Sequence, residues 1–504
     1  MAARTNPHYE HGLRFTKAGR HADAIDCYQK ALAEAPSDPH VLFALGNTAR
    51  ALGMARPAEI FYRQVLALAP DRIEAFINLA NLLRANGQAE AARALLEPAL
   101  ARNPQSPEMW LTLGSAFRDA NNADEAERHY RRALELRPGY AAALGNLADM
   151  LAGKGAYADA LPLYDRALRE EPDNAQAKLN RAVLHLLTGN LEQGWQDYAA
   201  RLRIPGKAPV CDHGLPSWKG ESLSGKRLLV TAEQGIGDQL MFASMIRDLA
   251  ARAEADGGSI VLECEPRLAP LFARSFEDIA VHPSRMETRG AEVHASYDWL
   301  ADGADFAIEM GSLPLHLRGD LAKFPKPNVF LDADEIETLN WQRTLSNAAE
   351  GPFIGICWRS GKLTAGRALN FAPLKDWAAF IRDMPGTPVC VQYDATPEEI
   401  DMLGEWSGKV VVVPGGIDQK RELDRTCALL SALDAVVSAP TAVCWLSAGA
   451  GVPTLKILRD AAWTSFGCDY EPFAPAARCI VPDSVGDWAD GFAKARVALN
   501  SLFG

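Results

Sequence analysis

Apolar and small residues recur with a period of 34 through the first two-fifths of the chain. Proline marks one phase of this period and follows an apolar, alanine-rich helical pattern each time, at Pro36, Pro70, Pro104, Pro138 and Pro172. Alanine marks a second phase, at Ala24, Ala58, Ala92, Ala126 and Ala160. Because the helical patterns end at the same position of each 34-residue unit, they predict a stack of paired helices.

Three more phases share the same register. One holds an aromatic residue or leucine, at Tyr28, Tyr62, Leu96, Tyr130, Tyr164 and Tyr198. Another holds small residues, at Gly12, Gly46, Ala80, Gly114, Ala148 and Ala182, and the last holds turn residues, at Gly19, Gly53, Gly87, Asn121, Gly155 and Gly189. Small residues let paired helices approach closely, the aromatic ring fills the gap to the next pair, and proline ends the second helix.

This pattern resembles the tetratricopeptide repeat, a helix–turn–helix unit of 34 residues. The resemblance implies a superhelix over residues 1–205, with five regular repeats, a sixth degenerate one, and a concave face that binds a protein partner. Amide side chains share two phases on that face, at Asn47, Asn78, Asn81, Asn146 and Asn180. Because an amide both donates and accepts, we expect them to hold an extended polypeptide; alternatively, they only join neighbouring repeats.

The pattern changes after Pro205. Prolines and glycines interrupt any helix over residues 206–225, which we interpret as a linker. Strands and helices then alternate in two runs, over 226–345 and 346–504. This alternation predicts two Rossmann-like lobes that face a cleft, so the expected fold class is α plus α/β.

Two details of the second lobe can be tested by the structure. The segment 409–414 (Lys-Val-Val-Val-Val-Pro) is interpreted as a strand because four consecutive valines follow its lysine. A final helix is expected to be capped by Ser484 and to run toward Leu502.

Composition narrows the function. The net charge of -12 argues against non-specific nucleic-acid binding, which needs clustered cations. The chain has no apolar run of membrane-span length and no signal-peptide pattern at its start, so we expect a cytoplasmic protein. The nine cysteines are scattered and favour reduced thiols over a zinc site, and the pair Asp332 and Asp334 favours a helix start over a metal site.

The segment 234–238 (Gln-Gly-Ile-Gly-Asp) carries the first candidate chemistry, between a strand and a helix. Its glycines, Gly235 and Gly237, allow a ligand to approach the backbone, and the following helix offers free N–H groups. Asp238 is positioned to take a proton from an attacking hydroxyl, or else only caps the helix. Gln239 follows and is included among the candidate ligand-binding residues.

The second lobe contributes a candidate phosphate site. Backbone N–H groups, a hydroxyl and cations lie together in the segment 358–362, at Trp358, Arg359, Ser360 and Lys362, with Arg367 on the same loop. Fixed cations of this kind stabilise a departing phosphate without a metal. Two further strand ends lie at the same edge, with Gln392 and Tyr393 at one and Thr441 and Ala442 at the other. In the alternative interpretation these charges are simply solvated.

These residues resemble a known family. The segment 228–245, which includes Glu-Gln-Gly-Ile-Gly-Asp-Gln, is similar to the opening of the heptosyltransferase-related domain of bacterial tetratricopeptide-repeat proteins. The resemblance extends through 189–198, 216–220, 351–360 and 433–453, and so covers nearly the whole chain. It implies the GT-B fold and inverting, metal-independent transfer from a nucleotide sugar, without a cofactor. It also implies that Asp238 is the base.

The chain departs from that family at one motif. The family carries Asp-Thr followed by a histidine four residues after the threonine, whereas this chain has Pro440 before Thr441 and Trp445 after it. With the segments 463–467 and 471–475, this variant is most similar to flagellin-modifying glycosyltransferases of the FlmG type. That resemblance implies transfer of a nonulosonic acid, such as pseudaminic or legionaminic acid, from a CMP donor.

The leading hypothesis is therefore a cytoplasmic protein O-glycosyltransferase that acts on serine or threonine of flagellin, with the repeats binding that acceptor. A second hypothesis is a transferase that modifies lipopolysaccharide or capsule. A third, motivated by Pro440 and Trp445, is an adaptor that keeps the fold without the chemistry.

Overall fold

A computed structural model describes residues 6–290, 292–300, 303–361 and 365–504. The chain forms two compact units, which divide between Ala177 and Lys178. The described part of the first unit is helical, and the second unit holds the parallel sheets. The expected fold class, helical repeats followed by an α/β part, is confirmed.

The repeats consist of paired helices. They are α1 (Pro7–Lys17), α2 (His21–Glu34), α3 (Pro39–Ala51), α4 (Ala55–Leu68), α5 (Ile73–Ala85), α6 (Ala89–Arg102), α7 (Pro107–Asp119), α8 (Ala123–Leu136), α9 (Ala141–Gly153), α10 (Tyr157–Glu170), α11 (Ala175–Leu187) and α12 (Leu191–Tyr198). The prolines of the 34-residue period lie just beyond the ends of α2, α4, α6, α8 and α10, as predicted. Because α11 crosses the division between the units, α12 belongs to the second unit.

Tyrosine rings pack against the small residues of the same repeat. A Cβ atom built on Gly46 would lie 2.7 Å from Cε1 of Tyr62, and one on Gly114 would lie 2.8 Å from Cε1 of Tyr130. Both rings are fully buried. Glycine at this phase therefore creates the space that the ring fills, which explains why the two phases of the sequence pattern occur together.

The first lobe is a parallel sheet with helices on its faces. Its elements are β1 (Val210–Cys211), β2 (Arg227–Thr231), α13 (Ile236–Ala243), α14 (Ile246–Ala255), β3 (Ser259–Cys264), α15 (Ala269–Ser275), β4 (Ala280–Pro283), β5 (Met286–Arg289), β6 (Glu292–Ala295), β7 (Phe306–Glu309), α16 (Leu313–Leu317) and α17 (Glu335–Ala348). The main sheet has the order β4-β3-β2-β7, with Leu229 paired to Val261 and Ala307. A smaller sheet of order β1-β6-β5 takes its first strand from the segment interpreted as a linker.

The second lobe repeats this arrangement. Its elements are β8 (Phe353–Cys357), α18 (Ala365–Ala368), α19 (Leu374–Asp383), β9 (Thr387–Cys390), α20 (Pro397–Ser407), α21 (Leu423–Ser431), β10 (Ala435–Ser438), α22 (Ala442–Gly449), β11 (Thr454–Ile457), β12 (Ala477–Ile480) and α23 (Trp488–Phe503). The strands are all parallel, in the order β12-β11-β10-β8-β9. Because parallel strands share their carboxyl edge, the turns after β8, β9 and β10 lie together.

Two predictions for this lobe are wrong. The segment 409–414 forms only a single bridge, between Val412 and Val389, because the side chains of Val410 and Val413 face solvent at 83% and 55% exposure. A strand within the sheet would bury them. The final helix is capped by Asp487, whose Oδ1 accepts a hydrogen bond from the Asp490 N–H at 3.1 Å, and not by Ser484.

One hydrophobic core extends through α12 and both lobes. It includes Trp195 from α12, Phe242 from the first lobe and Phe473 from the second, each at most 2% exposed. The last helix of the repeat pattern therefore packs as part of the α/β unit.

Candidate functional site

The glycine-rich turn follows β2 at the carboxyl edge of the first lobe's sheet. Gln234 has a φ of 61°, a left-handed backbone conformation that is unusual for a side chain of this kind, and Gly235 is the N-cap of α13. Asp238 lies in the first turn of that helix, and its Oδ2 accepts a hydrogen bond from the Gly235 N–H at 3.2 Å. Asp238 thus makes the capping contact that the sequence offered as the alternative to catalysis.

The Asp238 carboxylate is half-buried, and its surroundings change its acidity. Burial raises the pKa of Asp238 above its usual value, and the negative charge of Glu233 adds to the rise. The Gly235 N–H and the positive charge of Arg367 oppose it. A carboxylate with a raised pKa is a stronger proton acceptor, which is the property that a general base needs.

The first turns of α13 and α22 face each other across the two lobes. A Cβ atom built on Gly237 would lie 3.6 Å from Cδ1 of Trp445 and 3.9 Å from the Cα atom of Ala442. Thr441 is the N-cap of α22, and its Oγ1 accepts a hydrogen bond from the Val443 N–H at 3.3 Å. Two helix N-termini that converge in this way favour an anion, because their free N–H groups and dipoles are positive there.

Arg359 forms its described hydrogen bonds within its own lobe, and its role as a phosphate ligand stays a prediction. Its Nε and Nη2 donate to the two carboxylate oxygens of Glu399, each at 2.7 Å. Its Nη1 and Nη2 also donate to Oδ1 and the backbone carbonyl of Asp394, at 2.8 and 3.0 Å. Most of its N–H groups are hydrogen-bonded to these partners, and the two carboxylates neutralise its charge. Arg359 thereby joins the turn after β8 to α20.

Gln392 is likewise a structural residue. Its Oε1 accepts hydrogen bonds from the backbone N–H groups of Trp358 and Arg359, at 3.0 and 2.9 Å. Its Nε2 donates to the Arg359 carbonyl and to Asp394. The two backbone N–H groups that the sequence assigned to a phosphate therefore already have a partner, and the Trp358 side chain is buried beneath them.

The rest of the turn after β8 stays exposed or half-buried. Gly361 donates its N–H to the Tyr393 hydroxyl at 2.7 Å, which fixes the end of the turn, and Ser360 is half-buried. Lys362 lies outside the described residues. Arg367, near the end of α18, is exposed, and its positive charge lowers the pKa of Asp238.

Gln239 is buried and joins two parts of the first lobe. Its Oε1 accepts a hydrogen bond from the Glu265 N–H at 2.8 Å, and its Nε2 donates to the Gln234 carbonyl at 3.5 Å. These two hydrogen bonds join the glycine-rich turn to the end of β3, and neither is a contact with a ligand.

Glu263, near the carboxyl end of β3, was not among the residues predicted from the sequence. Its side chain is fully buried, its Oε2 accepts a hydrogen bond from the Ala232 N–H at 2.9 Å, and its Oε1 has no partner among the described residues. Burial raises the pKa of Glu263 to about 7, despite hydrogen bonds from Ala232 and Tyr297 that lower it. The sequence signal for this residue is a single charged side chain in a mostly apolar strand, because a buried charge needs a specific reason.

Trp445, four residues after Thr441, lies above a buried ion pair. The ammonium group of Lys456 lies 4.9 Å from the centroid of the Trp445 ring, and it donates to Glu471 Oε1 at 2.5 Å. Lys456 is 4% exposed and Glu471 fully buried. The Lys456 ammonium therefore packs against one face of the Trp445 ring, while the edge of the ring faces Gly237.

In the helical unit, the asparagine residues connect neighbouring repeats. Asn47 Oδ1 accepts hydrogen bonds from the Tyr62 hydroxyl and from Asn78 Nδ2, both at 2.8 Å. The Asn146 Nδ2 donates to Ser115 Oγ at 3.4 Å in the same relative position. For these residues the structure realises the alternative interpretation, in which the amides join the repeats.

Asn81 has a different contact from that ladder. Asn81 is exposed, accepts a hydrogen bond from Arg84 at 2.9 Å, and lines a recess of about 260 Å³ together with Arg84, Ser115, Tyr140 and Asn146. The recess lies along α5, α7 and α9, the first helices of their pairs. Asn180 lies on the part of α11 that belongs to the second unit.

A larger open cavity, of about 1130 Å³, contains none of the predicted donor residues. It is lined by residues that include Arg274, Asp332 and Asp334. Asp332 pairs with Arg247, and Asp334 caps α17 by accepting from the Glu337 N–H at 2.8 Å. These contacts agree with the helix-start interpretation of the two aspartates.

Family models for the tetratricopeptide repeat match residues 9–73, 77–141 and 111–170, and a second such model matches residues 151–194. The N-terminal part of the chain therefore consists of tetratricopeptide repeats, which are associated with protein–protein interaction.

A relative aligns across both parts of the chain. Protein FlbA of Caulobacter vibrioides is 32% identical over 380 residues, which represent 74% of this chain and 63% of FlbA. The chain thus spans less than two thirds of the length of that relative.

Two solved structures are similar to parts of the chain. A thermophilic tetratricopeptide-repeat protein of Thermus thermophilus is 25% identical with a TM-score of 0.32, covering 36% of this chain and 97% of its own. PilF of Pseudomonas aeruginosa is 20% identical with a TM-score of 0.35, covering 40% of this chain and 91% of its own.

Membrane spans and metal sites are both absent from the described residues. None of the helices there combines the length and apolar character needed to cross a bilayer. Nor do three or more histidine, cysteine, aspartate or glutamate side chains group there in a way that would hold a metal ion.

Proposed function

We propose that this chain is a protein O-glycosyltransferase, in which the α/β unit binds a nucleotide sugar and the repeats bind the acceptor protein, flagellin. The observation that carries the proposal is the meeting of two helix N-termini at the carboxyl edges of two parallel sheets. Gly237 in α13 and Ala442 in α22 are close enough there for both to contact one small anion. Open α/β sheets bind nucleotides at this kind of edge.

Asp238 is the proposed base. The acceptor hydroxyl oxygen forms a bond to the anomeric carbon of the sugar while its proton moves to the Asp238 carboxylate. The bond between that carbon and the phosphate oxygen breaks, and the nucleotide leaves with the electron pair. The raised pKa of Asp238, caused first by its burial, supports this role because it strengthens the carboxylate as a proton acceptor.

The departing phosphate is proposed to lie against the first turns of α13 and α22. Arg367 is proposed to contribute a positive charge there, because its charge lowers the pKa of Asp238. Lys362 is proposed as a second cation from its place in the sequence. Cations and helix N-termini together stabilise a leaving phosphate, and no metal is required for this step.

The repeats are proposed to present the acceptor. The recess beside Asn81 and Arg84 offers donors and acceptors on the face formed by the first helices. A tethered acceptor has a raised effective concentration at the transferase unit, so a weak peptide contact is sufficient. The sugar is proposed to be a nonulosonic acid carried on CMP, on the resemblance described above.

The decisive experiment measures the intact mass of flagellin after co-expression with this protein and a panel of sugar-nucleotide pathways. We expect a mass increase equal to one or more sugar residues, and its loss in the Asp238→Asn variant, because removing a general base costs about 100-fold or more in rate. Asp376→Asn is the matched control, since Asp376 also lies in the first turn of a helix and burial also raises its pKa.

Three outcomes would contradict parts of the proposal. Unmodified flagellin with modified lipid-linked glycan would favour the lipopolysaccharide or capsule hypothesis. Full transfer by a folded Asp238→Asn variant would reject Asp238 as the base. Equal loss in Asp238→Asn and Asp376→Asn would indicate a general effect on folding.

A non-catalytic adaptor is the second candidate, and one observation favours it. Arg359 and Gln392, which are predicted to bind the nucleotide sugar, already form hydrogen bonds within their own lobe. An adaptor predicts no stabilisation by CMP- or UDP-sugars, whereas a transferase predicts a rise in the melting temperature at saturating ligand. Thermal unfolding with and without these nucleotides separates the two candidates.

A further inference from the structure

The residues after the last repeat helix reach directly into the glycine-rich turn. A short 3-10 helix (Ala199–Arg203) follows α12 and carries Arg201, whose side chain is 5% exposed. Its Nε lies 3.2 Å from both carboxylate oxygens of Glu233, and its Nη2 donates to the same carboxylate and to Ser312 Oγ, the latter at 2.8 Å. Glu233 immediately precedes Gln234 in the turn.

The Glu233 carboxylate is enclosed on its other side as well. It is 4% exposed and accepts a hydrogen bond from the Gly311 N–H at 2.9 Å. A Cβ atom on Gly311 would lie 2.4 Å from Glu233 Oε1, so the backbone at this position approaches as closely as only glycine allows. The Arg201 guanidinium and the Gly311 N–H together fix the position of the buried Glu233 carboxylate.

Tyr198, in the last turn of α12, contacts the next residue of the turn. Its hydroxyl donates to Gln234 Oε1 at 3.3 Å. Gln234 has the left-handed backbone conformation, which is strained for a non-glycine residue and persists only where its surroundings hold it. Burial raises the pKa of Tyr198 to about 12, so its hydroxyl stays protonated and remains a donor at neutral pH.

The same helix is anchored to the second lobe. The ring centroid of Trp195 lies 5.7 Å from that of Phe466, and that of Tyr198 lies 5.6 Å from that of Trp463. Trp195 also contacts the first lobe, where it donates its Nε1–H to the Arg318 carbonyl at 3.0 Å. With these aromatic contacts fixing α12 from one side, the position of Arg201 and Tyr198 against the turn is set by packing rather than by the ion pair alone.

We propose that Arg201 and Tyr198 are positioning residues, which hold Glu233 and Gln234 so that Gly235 to Asp238 keep the conformation seen here. The last, degenerate repeat thereby supports the conformation of the candidate site through Tyr198 and the adjoining Arg201. The proposal concerns the conformation of the turn and holds with or without sugar transfer.

Hydrogen exchange of the full-length protein, followed by mass spectrometry, tests it. In Arg201→Gln we expect the hydrogen-bonded amides of Gly235 and Gln239 to exchange about tenfold faster than in the unaltered protein, because the turn loses the charged hydrogen bonds that hold it. Arg181→Gln is the matched control. It removes the ion pair that the half-buried Arg181 of α11 forms with Asp197 of α12.

Two milder variants keep the test decisive if Arg201→Gln does not fold. Tyr198→Phe removes one hydroxyl and leaves the packing, and we expect a smaller acceleration of the same two amides. Arg201→Lys keeps the charge without the fork, and we expect exchange intermediate between the unaltered protein and Arg201→Gln. Unchanged exchange of the Gly235 and Gln239 amides in folded Arg201→Gln or Tyr198→Phe would overturn the proposal. An increase matched by Arg181→Gln would do so too.

Discussion

Gly237 and Trp445 face each other across the two lobes, and a Cβ atom on the glycine would lie 3.6 Å from Cδ1 of the indole ring. This separation is an ordinary van der Waals contact, so alanine at position 237 fits the protein as it stands. The glycine is therefore not required by the packing of the two helices. Its absent side chain matters for whatever else approaches the first turn of α13.

We accordingly expect Gly237→Ala to fold normally and to lose ligand binding. Its melting temperature without ligand should lie within a few degrees of the unaltered protein, while the stabilisation by a CMP-sugar disappears. Gly404→Ala is the matched control, because Gly404 is also helical and its nearest neighbour is also at 3.6 Å. Undiminished nucleotide stabilisation in Gly237→Ala would place the anion elsewhere.

Gly46→Ala tests the packing of glycine against tyrosine in the repeats. The added methyl group would meet the Tyr62 ring at 2.7 Å, and that ring cannot move aside because it is fully buried and hydrogen-bonded to Asn47. We expect a loss of about 1–3 kcal/mol in the free energy of unfolding, measured by urea titration. Gly145→Ala, a helical glycine with open space around it, should instead gain about 0.5–1 kcal/mol.

Asn47 and Asn81 occupy the same phase of the repeat but should have different roles. Asn47→Ala leaves the Tyr62 hydroxyl and the Asn78 amide without their shared acceptor, and we expect it to cost about 1–2 kcal/mol of stability. Asn81→Ala removes an exposed side chain from the recess and should leave the urea midpoint unchanged while weakening acceptor binding. Equal destabilisation by both variants would contradict this division, and calorimetric titration with the acceptor measures the second effect.

Glu263 should make stability depend on pH in an unusual direction. Its pKa of about 7 in the folded protein lies above the 4.5 of an ordinary glutamate, so the folded state binds the proton more tightly. The free energy of unfolding should therefore fall as the pH rises from about 4.5 to about 7 and level off above that. The difference between the unaltered protein and Glu263→Gln isolates this effect.

For that comparison, urea unfolding at half-unit pH steps from about 4.5 to about 8 is the measurement. Glu263→Gln should gain stability relative to the unaltered protein across this range, because glutamine is uncharged throughout. Glu265→Gln, a partly exposed neighbour at the same strand end, serves as the control. A constant difference between the unaltered protein and Glu263→Gln at every pH would show that burial does not shift this carboxyl.

The helical repeats and the order of strands and helices were predictable, because both depend on residues that are close in the chain. The glycine, tyrosine and proline phases describe contacts within one 34-residue unit, and the turns after β2, β8 and β10 follow from local alternation. Even so, the four consecutive valines in 409–414 predicted a strand that the fold does not use, since Val410 and Val413 face solvent. Local hydrophobicity does not specify whether a partner strand lies beside a segment.

The roles of individual polar side chains could not be inferred in the same way. Arg359 looked like a phosphate ligand in the sequence, but Asp394 and Glu399 lie 35 and 40 residues away along the chain and neutralise it only once α20 packs beside β8. Arg201 and Glu233 are paired across a segment interpreted as a mere linker. Periodicity reports which face of an element is buried, whereas the partner of a charge is selected by folding, because an unpaired charge is too costly to leave inside.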